Sequence, residues 1–97
     1  MTDKIKVVIA NLKPFDEKFD DLIKLLKTKL PEARNVEGCK SINACIDSKT
    51  KSIILYEVWD TEEAHKKYVE WRKKTGVHDM ISDHLRDRSF SYYTYLV

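Results

Sequence analysis

The sequence predicts an α+β fold with the ferredoxin-like order βαββαβ and an extra short helix before the last strand. Two observations lead to this prediction. Four segments are rich in β-branched and aromatic residues, as strands are, and two longer segments repeat apolar residues at helical spacing. A chain of 97 residues has room for one domain, so residues 1–97 are taken as a single domain.

The first strand is predicted from Lys4 to Leu12, with apolar residues on both of its faces. Pro14 is expected to end this strand and to open a helix that runs from about Phe15 to Leu30. Pro31 is expected to stop that helix. The apolar face of the helix comprises Phe15, Phe19, Leu22, Ile23, Leu26 and Leu30.

A hairpin follows the first helix. Its strands are predicted at Cys39–Asp47 and Ser52–Trp59, joined by a polar turn. Cys39 and Cys45 stand six positions apart on one strand, about 20 Å, which is too far for a disulfide. We therefore expect two free thiols, and no His or Cys pair completes a metal motif.

The second helix is predicted from about Thr61 to Thr75, with Ala64, Tyr68 and Trp71 on one face. Asp60 is the expected N-terminal cap, with Glu63 in the position of a capping box, and Gly76 is the expected C-terminal cap. The basic side chains of its last turn, Arg72 among them, are expected to complement the helix dipole. A short helix over 77–85 and a strand over 89–97 complete the chain.

Two helices can cover only one face of a four-stranded sheet. The other face is predicted to carry Val8, Ala10, Ile54, Tyr56 and Val58. An apolar patch of this size is unfavourable in water, so we expect a homodimer in which two sheets pack face to face.

Composition excludes several classes of protein. The 18 basic and 16 acidic residues are interleaved along the chain and give a net charge of +2, which argues against a nucleic-acid partner. No apolar run is long enough to span a membrane. The first residues contain no apolar signal core, so a cytoplasmic location is expected.

The segment from Ile54 to Ala64, with Tyr56, Glu57 and Trp59 before a helix, resembles the centre of the antibiotic biosynthesis monooxygenase family. The resemblance extends over most of the chain, from Lys4 to Val97. It implies a dimeric α+β barrel. It also implies a monooxygenase that oxidises a quinol-like or polycyclic aromatic ligand with dioxygen and without a cofactor.

The resemblance also suggests site residues. Asn11 at the end of the first strand, Trp59 and Tyr68 are the candidate catalytic groups, because an amide, an indole and a phenol can bind a developing oxyanion. Tyr68 replaces a His that many members carry. The candidate substrate pocket adds Glu57, Trp71 and His78. Glu57 shares a face with apolar neighbours, so it is either a base with a raised pKa or a structural ion-pair partner.

Alternative functions remain open at this stage. One is a non-catalytic module that binds a small ligand or haem, with Asn11, Tyr68 and His78 in the order of a haem-degrading branch and His78 as iron ligand. In the more ordinary interpretation His78 is a surface residue, and His65 is a solvated helix residue. Another is a structural dimer whose pocket is filled by its own side chains. A cavity of about 300 Å³ or more would favour a ligand.

Overall fold

The computed structural model describes residues 5–96 and contains a four-stranded antiparallel sheet in the order β2-β3-β1-β4. The strands are β1 (Lys6–Pro14), β2 (Cys39–Asp47), β3 (Ser52–Trp59) and β4 (Leu85–Thr94). The helices are α1 (Phe19–Ala33), α2 (Glu62–Thr75) and α3 (Val77–Ser82), with a 3-10 turn at Asp16–Lys18. The predicted ferredoxin-like α+β fold, including its extra short helix, is confirmed.

The register of β1 against β3 decides which side chains face the helices. Val8 lies opposite Glu57, and Ala10 lies opposite Leu55. Assigning Val8 and Ala10 to the uncovered face is therefore wrong, because alternation within each strand does not give the register between strands. The main core comprises Ala10, Leu12, Phe19, Leu22, Leu26, Leu30, Ala33, Ile42, Ile53 and Leu55.

The opposite side of the sheet, which no helix covers, is called the open face below. Its members from the three adjacent strands β3, β1 and β4 include Val7, Ile9, Asn11, Ile54, Tyr56, Val58, Ser89, Ser91 and Tyr93. Tyr56 is 43% exposed and Tyr93 is 56% exposed. This surface is largely apolar, and Ile54, Tyr56 and Val58 lie on it as predicted.

Both prolines near α1 behave differently from the prediction. Pro14 is the last residue of β1, where the pairing with β4 changes register, and it does not open a helix. Pro31 lies inside α1, which continues to Ala33. Its ring removes one backbone hydrogen bond near the helix end, while Ala33 is fully buried in the core and holds the last turn in place.

Helix α2 begins one residue later than expected. The Thr61 hydroxyl, and not the Asp60 carboxylate, accepts the hydrogen bond from the backbone N–H of Ala64 at 3.1 Å. Asp60 instead lies 3.6 Å from the Lys40 ammonium. Gly76 ends α2 with a φ of 86°, as the prediction of a glycine cap requires.

The chain after Gly76 divides earlier than expected. Helix α3 ends at Ser82, three residues before the predicted end, and β4 begins at Leu85 instead of residue 89. Lys4 and Val97, predicted strand ends, lie outside the described residues. Cys39 and Cys45 are both free, as predicted. Within residues 5–96, no helix is both long and apolar enough to cross a membrane.

Candidate functional site

A narrow cavity of about 60 Å³ lies between the sheet and all three helices. Most of its wall is apolar and comes from side chains of β1, β3, β4 and the helices. The polar side chains on its wall are Lys29, Glu57, His65, Tyr68, Arg72, His78 and Arg88. Several titratable groups therefore converge on an apolar space, which is the usual composition of a ligand site.

Glu57 is the only acidic group on this wall, within residues 5–96. It is 2% exposed, and the indole N–H of Trp59 donates a hydrogen bond to its Oε1 at 2.9 Å. Because strand residues two apart share a face, β3 places both side chains toward the helices. Burial raises the pKa of Glu57 to about 7, although the hydrogen bond from Trp59 acts in the opposite direction. The carboxyl can therefore exchange a proton near neutral pH.

His65 lies beside Glu57 and is also 2% exposed. Its Nε2 is 3.6 Å from Glu57 Oε1, and its Nδ1 is 2.9 Å from the Tyr92 hydroxyl. Burial lowers the pKa of His65 to about 4, so the ring is neutral at pH 7. The prediction of a solvated His65 is wrong, because α2 turns this position toward the sheet.

Tyr68 and Arg72 form the α2 side of the cavity. Arg72 Nε donates to the Tyr68 hydroxyl at 2.9 Å, and its two terminal nitrogens donate to Glu32 Oε1 at 3.1 Å and the Lys29 carbonyl at 2.7 Å. Since the Tyr68 oxygen accepts from Arg72, its own proton is free to be donated to a ligand. Burial raises the pKa of Tyr68, which keeps that proton in place at neutral pH.

Arg88 and Phe90 of the edge strand β4 form the outer wall. Nη1 of Arg88 lies 2.8 Å from His78 Nε2, which accepts the hydrogen bond if the ring is neutral. Burial and the neighbouring Arg88 lower the pKa of His78, which favours that neutral form. Phe90 is 44% exposed and makes an edge-on contact with His65, with ring centroids 6.0 Å apart.

The structure brings only some of the sequence-predicted site residues together. Glu57, Tyr68 and His78 line the cavity. Trp59 is completely buried behind the cavity, and its indole N–H donates a hydrogen bond to Glu57. Trp71 is exposed and stacks on Arg72, whose guanidinium carbon is 4.7 Å from its ring centroid. It does not line the cavity.

Asn11 lies on the open face, opposite Ile54, and so on the other side of the sheet from this cavity. The haem alternative needs Asn11 and His78 at one site, and the structure places them on opposite faces of the sheet. His78 Nε2 is also engaged with Arg88. These residues therefore do not form a haem site.

Four residues of the site were not foreseen from the sequence: His65, Arg72, Arg88 and Tyr92. Strand alternation is the signal for Arg88 and Tyr92, since residues 88, 90 and 92 share the helix-facing side of β4. This signal requires a strand that begins at residue 85 and not at residue 89. His65 and Arg72 are seven residues apart on α2, two helical turns, and so share a face.

Comparisons with known proteins support the same fold. The model of a family described as antibiotic biosynthesis monooxygenase matches residues 6–79. No curated protein matches the chain. Among solved structures, PA3566 from Pseudomonas aeruginosa gives a TM-score of 0.86 at 13% identity, over 100% of this chain and 99% of that one.

A second structure, Rv0793 from Mycobacterium tuberculosis, gives a TM-score of 0.84 at 18% identity and covers 96% of each chain. A third, described as an antibiotic biosynthesis monooxygenase, gives 0.84 at 19% identity over 95% of this chain and 99% of that one. At these identities, likeness to the solved structures shows the fold alone.

Proposed function

Because the chain belongs to the antibiotic biosynthesis monooxygenase family, we propose that it oxidises a quinol-like or polycyclic aromatic substrate with dioxygen and without a cofactor. The family assignment supports a monooxygenase-type function in general terms. One observation carries the rest of the proposal: Glu57 is a buried carboxyl with a pKa near 7 on the wall of an apolar cavity. A general base is most effective when its pKa is close to the working pH.

In this proposal Glu57 removes a proton from the substrate, and the Tyr68 O–H donates to the oxygen on which the negative charge develops. Trp59 is a positioning residue, since its N–H holds the Glu57 carboxyl in place. An anthrone illustrates the balance. Its CH₂ carbon loses a proton, the carbanion transfers electrons to dioxygen, and a C–O bond forms.

Glu57 returns the proton to the resulting peroxide. Loss of the second C–H proton, with cleavage of the O–O bond, then gives a carbonyl and one water. The four electrons removed from the carbon are those that reduce dioxygen. No further reductant is required, which is consistent with a reaction that uses no cofactor.

The cavity of about 60 Å³ is smaller than a typical ligand pocket of about 300 Å³ or more. In our proposal the substrate therefore enters by displacing Phe90, which is half-exposed on the edge strand, or by moving the six-residue helix α3. The small volume is also the observation that favours the second candidate, a structural dimer in which the pocket is filled by its own side chains.

Oxygen uptake with an anthrone or a reduced naphthoquinol, in metal- and flavin-free buffer, tests the proposal. Glu57→Gln keeps the size of the side chain and removes the base, so the rate should fall about a hundredfold or more. Glu17→Gln makes the same change at an exposed carboxylate and should leave the rate unaltered. The wild-type rate should also rise with pH through about 7, as Glu57 ionises.

These substrates also oxidise spontaneously, so the wild-type rate is compared with that of Glu57→Gln and not with buffer alone. Equal uptake by wild type and Glu57→Gln, over several substrates of this class, would contradict a role for Glu57. Uptake by wild type no faster than in buffer would favour the structural dimer.

A further inference from the structure

Arg88 is a half-buried cation without an anionic partner. Its only hydrogen bond among residues 5–96 joins Nη1 to His78 Nε2, and no carboxylate of the described residues lies within ion-pairing distance of its guanidinium. Burial lowers the pKa of Arg88, as expected for a charge removed from water without compensation. Most of its five N–H donors remain free.

The other cations on the cavity wall are in a different position. Arg72 and Lys29 both contact the Glu32 carboxylate, at 3.1 Å and 3.9 Å. The one carboxylate near Arg88's partner is Asp79, whose Oδ1 is 3.8 Å from His78 Nδ1, so it faces the far side of that ring. Arg88 is thus the cation of this wall whose charge is left for a ligand.

We propose that the substrate carries an acidic group, such as a carboxylate or an acidic enol, and that Arg88 binds it at the outer end of the cavity. This inference rests on the proposed function and specifies its substrate class. The fork of the guanidinium suits a planar carboxylate, and Phe90, on the same side of β4, provides an adjacent surface for the ring system.

The sheet register also sets the orientation of the ligand. Arg88 lies opposite Leu12 on β1, whereas Glu57 lies opposite Val8. These positions are four residues apart, about 13 Å along the strand direction. The acidic group and the reacting carbon are therefore expected on different rings of the aromatic system, and a substrate with both on one ring does not satisfy both residues.

Calorimetric titration with a product analogue tests this site without requiring turnover. The probes are anthraquinone-2-carboxylate and its neutral amide, which share one ring system. Wild-type protein should bind the carboxylate about tenfold to a hundredfold more tightly, as for a charge-assisted hydrogen bond. Arg88→Gln should remove this preference, and Arg88→Lys should retain part of it.

Arg86→Gln is the matched control, because it removes the same charge from an exposed position on β4 that does not line the cavity. It should keep the preference for the carboxylate. Equal affinity of wild type for the two probes, or an unaltered preference in Arg88→Gln, would overturn the anion site. The proposed monooxygenase function would not be affected by that result. If wild type binds neither probe, the anion site is rejected, and oxygen uptake decides separately on the proposed function.

Discussion

Glu57 and His65 together retain one proton over the mildly acidic range. In the folded protein burial raises the pKa of Glu57 to about 7 and lowers that of His65 to about 4. Between these values the carboxyl holds the proton and the imidazole is neutral. In the unfolded chain these groups have their ordinary pKa values of 4.5 and 6.5, so the carboxylate is ionised and the imidazole carries the proton. Both states thus bind one proton, which sits on different groups.

The opposite pKa shifts of Glu57 and His65 make opposite contributions to the pH dependence of stability. The raised pKa of Glu57 contributes stability that is fully present below about 4.5 and is lost as pH rises to about 7. The lowered pKa of His65 contributes stability that is present above about 6.5 and is lost as pH falls to about 4. The two dependences oppose each other, so the contributions of Glu57 and His65 to the free energy of unfolding nearly cancel between pH 4.5 and 6.5.

Single substitutions should expose the two slopes. In Glu57→Gln the contribution of His65 is no longer offset, so the free energy of unfolding should increase relative to wild type from pH 4.5 to 6.5. In His65→Leu the contribution of Glu57 is no longer offset, so it should decrease relative to wild type over the same interval. Each change is on the order of 2 kcal/mol. Urea unfolding at a series of pH values measures both.

The wild-type profile and that of Glu17→Gln serve as references for this experiment, since Glu17 is an exposed carboxyl. Changes of slope of the same sign in Glu57→Gln and His65→Leu, each relative to wild type, would contradict the opposite pKa shifts of the two groups. The result does not depend on any substrate.

At the scale of elements, the rotation of α2 explains what the sequence could and could not predict. An apolar stripe of Ala64, Tyr68 and Trp71 would turn Trp71 toward the sheet. The residues that contact the cavity are instead His65, Tyr68, Val69 and Arg72. The face that contacts the cavity is rotated by about one residue from the apolar stripe. The apolar pattern does not predict this face, because His and Arg are normally counted as polar. Each is buried here with specific hydrogen-bond partners.

Both Asp60 and Thr61 could cap the N-terminus of α2, and the structure has Thr61 in this role. Thr61→Ala should lower the free energy of unfolding by about 1 kcal/mol, because the Ala64 N–H loses its acceptor. Asp60→Ala, at the residue favoured by sequence, should change it by only a few tenths of a kcal/mol, since its ion pair with Lys40 is exposed. Chemical denaturation of both variants measures the difference.

A loss in Asp60→Ala as large as that in Thr61→Ala would restore the cap predicted from sequence. Both residues can accept a hydrogen bond from a helix N-terminus, so their order in the chain does not decide between them. The position of β3 decides it, because the backbone N–H of Asp60 is already engaged with the Gly38 carbonyl at 2.8 Å.

At the scale of the whole molecule, the sequence predicted the order of elements and one apolar sheet face without a cover. Strand alternation predicted that Glu57 and Trp59 point the same way. The pairing register lay beyond such reasoning, because β1 is apolar on both faces and either face could have met the helices. For this reason Asn11 and the cavity, expected together, lie on opposite sides of the sheet.

The open face gives the strongest indication of a partner. Its side chains from β1 and β3 are mostly apolar, and Tyr56 and Tyr93 on this face are 43% and 56% exposed. A monomer would leave this apolar surface in water. We propose that a second copy of the chain covers this face, as two sheets pack in a symmetric dimer.

Tyr56→Asp tests this proposal, because it places a charge near the middle of the open face, where Tyr56 pairs with Ile9. Burying an unpaired carboxylate costs several kcal/mol, so association should be lost while the monomer stays folded, since Tyr56 is half-exposed in one chain. Ile46→Asp is the matched control, as Ile46 is an exposed apolar residue that faces the helix side of β2. Light scattering should give about twice the chain mass of 11.5 kDa for wild type and Ile46→Asp, and the single chain mass for Tyr56→Asp. A wild-type protein that remains monomeric at micromolar and higher concentrations would rule out the dimer.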